Sequence, residues 1–297
     1  MGPGPDARLL ADQKERLGLR VSVCLPARNE AATMPPTVAV VHGALADRVG
    51  LVDEVVVLDD GSEDETGTVA AAGGARVCRE ADVLPELPPG TGKGNALWKA
   101  LFVSGGDLIC FLDADVRNFA PHFVTGLLEP LLHDPEIGFV KGHYERPLHG
   151  DRRGGGRVTE LMARPLLRAL FPGLAAIRQP LGGEYAARRE VLEVLPFVEG
   201  WGVELGLLLD VADRFGVDAI AERDLGVREH RNRPLDELAP QALAVLLTGL
   251  RRAGVAPVDS TARRVHPDDG AASALRERPP MITVPAYRAK FGRELSA

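Results

Sequence analysis

An apolar run, Leu108-Ile109-Cys110-Phe111-Leu112, ends in Asp113-Ala114-Asp115, two carboxylates separated by one residue. Alternation along a strand sends two such side chains in a similar direction. Paired hard oxygens suit Mg2+ or Mn2+, which fill their other positions with water and phosphate oxygens. An isolated Asp-x-Asp also reads as a solvated turn, so the neighbouring segments decide. The run 21–25 ends in Pro26-Ala27-Arg28-Asn29-Glu30, and a second run ends in Asp59-Asp60-Gly61-Ser62-Glu63-Asp64-Glu65-Thr66. Acidic and amide groups at such places can read a nucleobase edge and ribose hydroxyls, and Pro26 and Ala27 leave backbone groups accessible. Asp60-Gly61-Ser62 reads equally as a turn, with Asp64 or Glu65 capping the helix that follows. Gly90-Thr91-Gly92-Lys93-Gly94-Asn95 opens a helix. It lacks P-loop spacing, since Gly94 stands where a hydroxyl residue belongs. Its glycines still let N–H groups approach an anion, and Lys93 adds a point charge, a combination suited to a diphosphate. Further along, Arg152-Arg153-Gly154-Gly155-Gly156-Arg157 leads into Val158-Thr159-Glu160, a second anion site made of glycine backbone, a helix N-terminus and guanidinium groups.

These residues need a scaffold. Short β-branched runs alternate with helical patterns through the first half, the signature of a mostly parallel α/β sheet covered by helices. The expected strands are 21–25, 54–58, 75–78 and 108–112. Helices are expected over 36–46, 66–72 and 93–103, the last with Leu97, Ala100 and Leu101 on one face. Open α/β sheets bind ligands outside the carboxyl ends of their strands, where the candidate residues fall. Beyond residue 116 the pattern loosens: a helix over 121–132, a strand over 137–144 and a polar loop over 149–156. Helices over 158–170, 188–194 and 203–215 follow, then short strands at 219–221 and 225–228 and a helix over 235–252. Pro257, Pro267, Pro279, Pro280 and Pro285 make the last forty residues read as an extended tail across the surface.

Composition narrows the function classes. With 297 residues, 45% hydrophobic and 26% charged, the chain can bury a sizeable core, which excludes disorder and fibre. Thirty-five Lys plus Arg against 42 Asp plus Glu give a net charge of −7, which argues against a nucleic-acid partner and for small molecules. Cys24, Cys78 and Cys110 are odd in number and lie in or beside apolar runs, the usage of buried thiols in a reducing cytosol. No apolar stretch approaches the roughly 18–20 residues needed to span a bilayer, and the N-terminus lacks a basic region before an apolar core. A cytoplasmic protein without a membrane partner is expected.

In their order, the segments 26–30, 59–66, 90–95 and 108–115 resemble the nucleotide-sugar-dependent glycosyltransferases of the GT-A fold. Four more stretches narrow the likeness: Gly154-Gly155-Gly156-Arg157-Val158-Thr159-Glu160-Leu161, Gln179-Pro180-Leu181-Gly182-Gly183-Glu184-Tyr185-Ala186-Ala187, Gly200-Trp201-Gly202-Val203-Glu204 and Val227-Arg228-Glu229-His230-Arg231-Asn232-Arg233-Pro234-Leu235. Over 20–255 the chain looks like the glucosyl-3-phosphoglycerate and mannosyl-3-phosphoglycerate synthases of actinobacteria.

The resemblance implies a Rossmann-like, mostly parallel sheet with helices on both faces. It implies one catalytic domain over 20–257, a nucleotide-sugar half over 20–116 and an acceptor half over 117–257, between an N-terminal extension (1–19) and a C-terminal tail (258–297). Pro26, Ala27 and Glu30 would bind the nucleoside, Asp60 the base or ribose, Lys93 the nucleotide and Asp113 the ribose. Asp115 would ligate Mg2+ or Mn2+ together with His230 and diphosphate oxygens. Gly156, Arg157 and Thr159 would hold the phosphate or carboxylate of 3-phosphoglycerate, with Asn232 in contact. Trp201 stands where the family commonly has Tyr, and an indole cannot copy the phenolic O–H. Glu204 and the Leu181-Gly182 backbone would line the hexose pocket. The implied reaction moves glucose or mannose from UDP-glucose, GDP-glucose or GDP-mannose to the acceptor's 2-hydroxyl with retention, in a homodimer. Since no carboxylate announces itself as a glycosyl nucleophile, front-face displacement, with the departing phosphate taking the acceptor proton, is preferred to attack by Glu204. Three rivals share features. A transferase to a polyprenyl phosphate usually carries membrane segments. A sugar-nucleotide pyrophosphorylase has its Gly-rich loop where this chain has 26–30. A non-catalytic nucleotide-sugar-binding protein has no need of Asp113, Asp115 and His230.

Overall fold

The computed structural model describes residues 4–147, 155–229, 234–255 and 275–294. Among them are the strands β1 (Val21–Ala27), β2 (Glu54–Asp59), β3 (Arg76–Arg79), β4 (Leu108–Phe111), β5 (Phe139–Glu145), β6 (Tyr185–Arg188), β7 (Phe197–Val198), β8 (Ile220–Val227) and β9 (Glu277–Arg278). Seven form one sheet in the order β3-β2-β1-β4-β6-β5-β8, while β7 pairs with β9 apart from it. In the main sheet β6 runs antiparallel to both its neighbours, and the other pairings are parallel.

The helices are α1 (Ala7–Leu17), α2 (Met34–Val38), α3 (Thr66–Ala72), α4 (Gly92–Val103), α5 (His122–His133), α6 (Arg164–Leu170), α7 (Arg189–Leu192), α8 (Val203–Phe215), α9 (Leu235–Arg252) and α10 (Pro285–Phe291). Wider π-type turns extend α2 through Ala39–Asp47 and precede α6 over Thr159–Ala163. Strand alternation sorts the core into two layers. Val21, Val23 and Leu25 of β1 enter a cluster with Leu10 of α1 and Phe123 and Leu127 of α5. Cys24 enters the opposite cluster, with Trp98 and Leu101 of α4 and Leu205 and Leu208 of α8. Both faces of the sheet are therefore covered, as the α/β reading requires.

The expected elements of the first half occur within a few residues of their predicted bounds. Four differences stand out. Residues 185–188 form β6, an antiparallel strand that the periodicity did not suggest, and the helix expected over 188–194 shortens to α7. The two short strands expected at 219–221 and 225–228 are one strand, β8. Residues ahead of β1 are helical: Asp6 caps α1 by accepting from the Arg8 N–H at 2.8 Å, and Lys14 pairs with Asp53 at 2.9 Å. The described part of the tail is not a surface strap, because Met281 and Tyr287 are fully buried in the α4/α8 layer. Tyr287 donates to Glu193 at 2.6 Å, and its oxygen accepts from the buried Arg189 at 3.3 Å.

Candidate active site

Parallel strands bring their carboxyl ends to one edge of the sheet. Because β6 runs the other way, the segment entering it, residues 179–184, reaches the same edge. A cleft of about 430 Å³ opens there. Pro26, Ala27, Glu30, Asp60, Lys93, Asp113, Asp115, Gly156, Arg157, Thr159, Leu181, Trp201 and Glu204 all line it, so residues from seven separate segments of the sequence meet in one space. Gly182 lies just behind the wall, buried, with its carbonyl accepting from Lys141. His230 and Asn232, and with them Arg152, Arg153 and Gly154, lie outside the described residues.

Local hydrogen bonds explain how the part of the cleft around residues 26–30 and 60 is shaped. The Asp60 N–H donates to the Ala27 carbonyl at 2.9 Å, holding the ends of β1 and β2 together. Thr66 accepts from the Glu30 N–H at 2.8 Å, and Asp64 accepts from the N–H groups of Thr66 and Ala31 at 3.0 and 3.1 Å. Asp64 is thus the helix-capping residue of the two candidates; Glu65, at the N-cap position, makes no side-chain cap. Asp60 is half-buried, and desolvation, with Glu80 nearby, raises its carboxyl above the ordinary value.

The floor is a chain of charges. The Lys93 ammonium lies 2.5 Å from Asp113 Oδ1 and 2.5 Å from Glu204 Oε1, tying the head of α4 to β4 and to the head of α8. The Arg228 guanidinium, 3% exposed, lies 2.7 Å from Asp113, 2.7 Å from Asp115 and 2.8 Å from Glu184. Tyr144 donates to Glu184 at 2.5 Å and accepts from Arg146 at 2.8 Å. Burial alone would raise the Asp113 carboxyl, but Lys93 and Arg228 outweigh it and hold it well below the usual carboxylate range. The same pairing carries the Lys93 ammonium well above its ordinary value despite desolvation. Gly183 is needed for this packing, since a β-carbon there would stand 2.3 Å from the Asp113 carboxylate oxygens.

Gly156, Arg157, Val158 and Thr159 line the same cleft. Gly156 has φ +71°, in the left-handed region open to glycine, and hands the chain to the helical turn carrying Arg157 and Thr159. The Gly155 N–H donates to the Arg146 carbonyl at 3.0 Å, tying this wall to the end of β5. Arg146 lines the cleft with Arg157. Trp201, 41% exposed, lines the cleft together with Leu238, Gln241 and Val245 of α9.

Residue types and spacing did not single out Arg228, Glu184, Arg146, Tyr144 or Lys141. Arg228 and Glu184 stand inside motif stretches, so their signal was position in a motif and not chemistry. Among the described residues no three His, Cys, Asp or Glu side chains converge as metal ligands. Asp115 offers one hard carboxylate on the cleft wall, with Arg228 on its Oδ1. That fits an ion of the Mg2+ type, which takes one or two protein carboxylates and completes its shell with water and substrate phosphate.

A mostly parallel α/β sheet whose strand ends bring acidic, ammonium and guanidinium groups into one cleft defines a glycosyltransferase of the GT-A class. The chain belongs to glycosyl transferase family 2, whose model matches residues 22–192. It is similar to the glucosyl-3-phosphoglycerate synthase of Petrotoga mobilis, at 41% identity over 305 residues that span 96% of this chain and 93% of that protein. The glucosyl-3-phosphoglycerate synthase of Mycolicibacterium smegmatis is 48% identical over 279 residues, 91% of each chain. The crystal structure of the Mycobacterium tuberculosis glucosyl-3-phosphoglycerate synthase with Mn2+, UDP-glucose and phosphoglyceric acid matches with a TM-score of 0.83 at 46% identity, covering 95% of this chain and 96% of that one. The likeness therefore reaches beyond the stretch 20–255 that carries the motifs.

Proposed function

We propose that this chain is a metal-dependent, retaining hexosyltransferase that moves glucose from UDP-glucose to the 2-hydroxyl of D-3-phosphoglycerate. The observation that carries this reading is the one cleft that is lined by Lys93, Asp113 and Asp115 and also by Gly156, Arg157 and Thr159, with Leu181 and Glu204 in the same lining. A donor diphosphate suits the first group, an anionic acceptor the second, and a hexose Leu181 and Glu204. Pro26, Ala27, Glu30 and Asp60 take the nucleoside. Lys93 stabilises the diphosphate charge as the glycosidic bond breaks. Asp115, with His230 from outside the described residues, would hold Mg2+ or Mn2+, which supplies positive charge against the leaving group. Gly156, Arg157, Thr159 and Asn232 orient the acceptor, and Trp201 closes the rim. Glu204, ion-paired at 2.5 Å to Lys93, serves better as part of the hexose pocket than as a nucleophile, in keeping with front-face displacement. The relatives' substrates favour UDP-glucose over GDP-glucose and GDP-mannose.

Residues 20–116 act as the nucleotide-sugar half and 117–257 as the acceptor half of one catalytic domain, in a homodimer. Three free thiols, Cys24, Cys78 and Cys110, support a cytoplasmic setting. No helix among the described residues is long and apolar enough to cross a membrane. The test is a matrix of the three donors against 3-phosphoglycerate and a polyprenyl phosphate, with NMR of the product's anomeric centre. Transfer from UDP-glucose to 3-phosphoglycerate with retention, abolished by chelation and by Asp115→Asn in a folded protein, is the expected result. Absence of transfer to 3-phosphoglycerate from every donor would overturn the reading.

A further inference from the structure

Lys141 sits in the middle of β5 with no exposure to solvent. Its backbone pairs with Tyr185 of β6 and Glu222 of β8. The ammonium donates to the Gly182 carbonyl oxygen at 2.5 Å and lies 4.9 Å from the centre of the Tyr185 ring. Four charges act on it: Glu204 from α8, Lys93 from α4, Glu184 from the segment entering β6 and Asp113 beyond β4. Burial pushes the amine down to about 8 against the pull of the carboxylates. A buried cation in a central strand costs free energy that an apolar side chain would not, and such departures from local preference concentrate at functional positions.

The carbonyl it grips belongs to the turn that walls the cleft. The Gly182 N–H donates to the Gln179 carbonyl at 3.1 Å, and the Gly142 N–H donates to the Glu184 carbonyl at 2.9 Å. A β-carbon at Gly182 would stand 3.1 Å from the Gly142 carbonyl oxygen, so the turn lies flat on β5. Leu181, the preceding residue, lines the cleft beside Lys93 and Glu204, whereas Lys141 does not reach the cleft.

We propose that Lys141 is a positioning residue for the hexose end of the donor: by holding the Gly182 carbonyl it fixes the Leu181-Gly182 backbone against which the sugar rests. The proposal rests on the cleft's reading as a nucleotide-sugar site. Lys141 has no hydrogen bond to Pro26, Ala27, Glu30 or Asp60, so the nucleoside end should not register its loss.

The experiment compares wild type with Lys141→Met and Lys141→Gln. Wild-type transfer from UDP-glucose to 3-phosphoglycerate is established first, and its absence counts against the proposed function alone. UDP and UDP-glucose affinities, measured by calorimetry with Mg2+, then test Lys141 independently of turnover. A misplacement of about 1 Å costs roughly 100-fold, so Lys141→Met should lower kcat/KM for UDP-glucose at least about 10-fold. Its UDP affinity and its KM for 3-phosphoglycerate should stay within about 2-fold. Lys141→Gln, which keeps a donor for the carbonyl, should recover part of the loss. A purely structural lysine predicts parallel losses of UDP and UDP-glucose affinity, or none, in folded protein, and either result overturns the proposal. Should neither variant fold, the wild-type ratio of UDP-glucose to UDP affinity is followed with pH. It should fall in part as Lys141 loses its proton above about 8, because the neutral amine still donates to the Gly182 carbonyl but more weakly than the ammonium, and a flat ratio counts against the role.

Discussion

Arg228 is the residue whose removal should cost the fold most per atom lost. Its guanidinium, 3% exposed, meets Asp113, Asp115 and Glu184 at 2.7, 2.7 and 2.8 Å. Each attraction is of order 4 kcal/mol at an effective dielectric constant near 20, set against several kcal/mol of desolvation per ion. The pairs therefore add little net stability, but deleting the cation strands carboxylates that have already lost water. Arg228→Met should lower the unfolding free energy by about 3–5 kcal/mol at neutral pH in the presence of a chelator. Urea unfolding followed by circular dichroism measures this. Added Mg2+ should return part of the loss, because a divalent ion on Asp115 replaces the missing positive charge. Arg228→Lys should fall between, since one ammonium cannot span three carboxylates as a planar fork does. The pH dependence has a definite sign. Asp113 binds its proton less tightly folded than unfolded, so its contribution is complete above the ordinary carboxylate value of about 3.9. It is lost as pH falls through the depressed folded value, so the advantage of wild type over Arg228→Met should shrink on acidification. A loss below about 1 kcal/mol, unaffected by Mg2+, would refute the reasoning.

Arg157→Ala should lower acceptor-side kcat/KM about 10- to 100-fold, since a hydrogen bond to a charged group is worth roughly 1.5–3 kcal/mol; UDP affinity should hold, and unaltered dependence on 3-phosphoglycerate would defeat the acceptor assignment. Lys93→Ala should weaken UDP binding by calorimetry about 10-fold or more, and unchanged affinity would reduce Lys93 to a tie between Asp113 and Glu204. Tyr287→Ala should cost about 3–5 kcal/mol in urea unfolding, because the ring is fully buried and its hydroxyl bonds Glu193; a change below about 1 kcal/mol would mean that α10 does not hold the core.

The parallel half of the fold was legible because its strands are short β-branched runs that end in polar residues, as in Val55, Val56 and Val57 before Asp59. Residues 185–188 carry no such pattern: Tyr185, Ala186 and Ala187 are buried on both faces of the sheet, which erases alternation. Thirteen of the sixteen candidate site residues line one cleft, because the early motifs sit at the carboxyl ends of parallel neighbouring strands, which share one edge of the sheet. Arg228 stayed hidden for another reason. Its partners Asp115 and Asp113 lie 113 and 115 residues away in sequence, and the parallel closure of β8 on β5 helps to bring them together. The tail was misread because five prolines outweighed Met281, Val284 and Tyr287, whose spacing of three residues marks one buried face.

That buried tail bears on how the protein is made. Residues 275–294 are translated after every strand of the main sheet, yet Tyr287 covers Arg189, whose guanidinium reaches Gly106, Leu101 and Ser104. The Pro279 carbonyl likewise accepts from the Trp98 indole at 2.8 Å. Until α10 docks, an arginine and an indole wait without their last partners on an open apolar face. Vectorial folding from the N-terminus can thus assemble strands β1 to β4 early, but this face closes only after α10 has cleared the ribosome. A chain cut short ahead of residue 275 would present a half-covered core to chaperones and proteases.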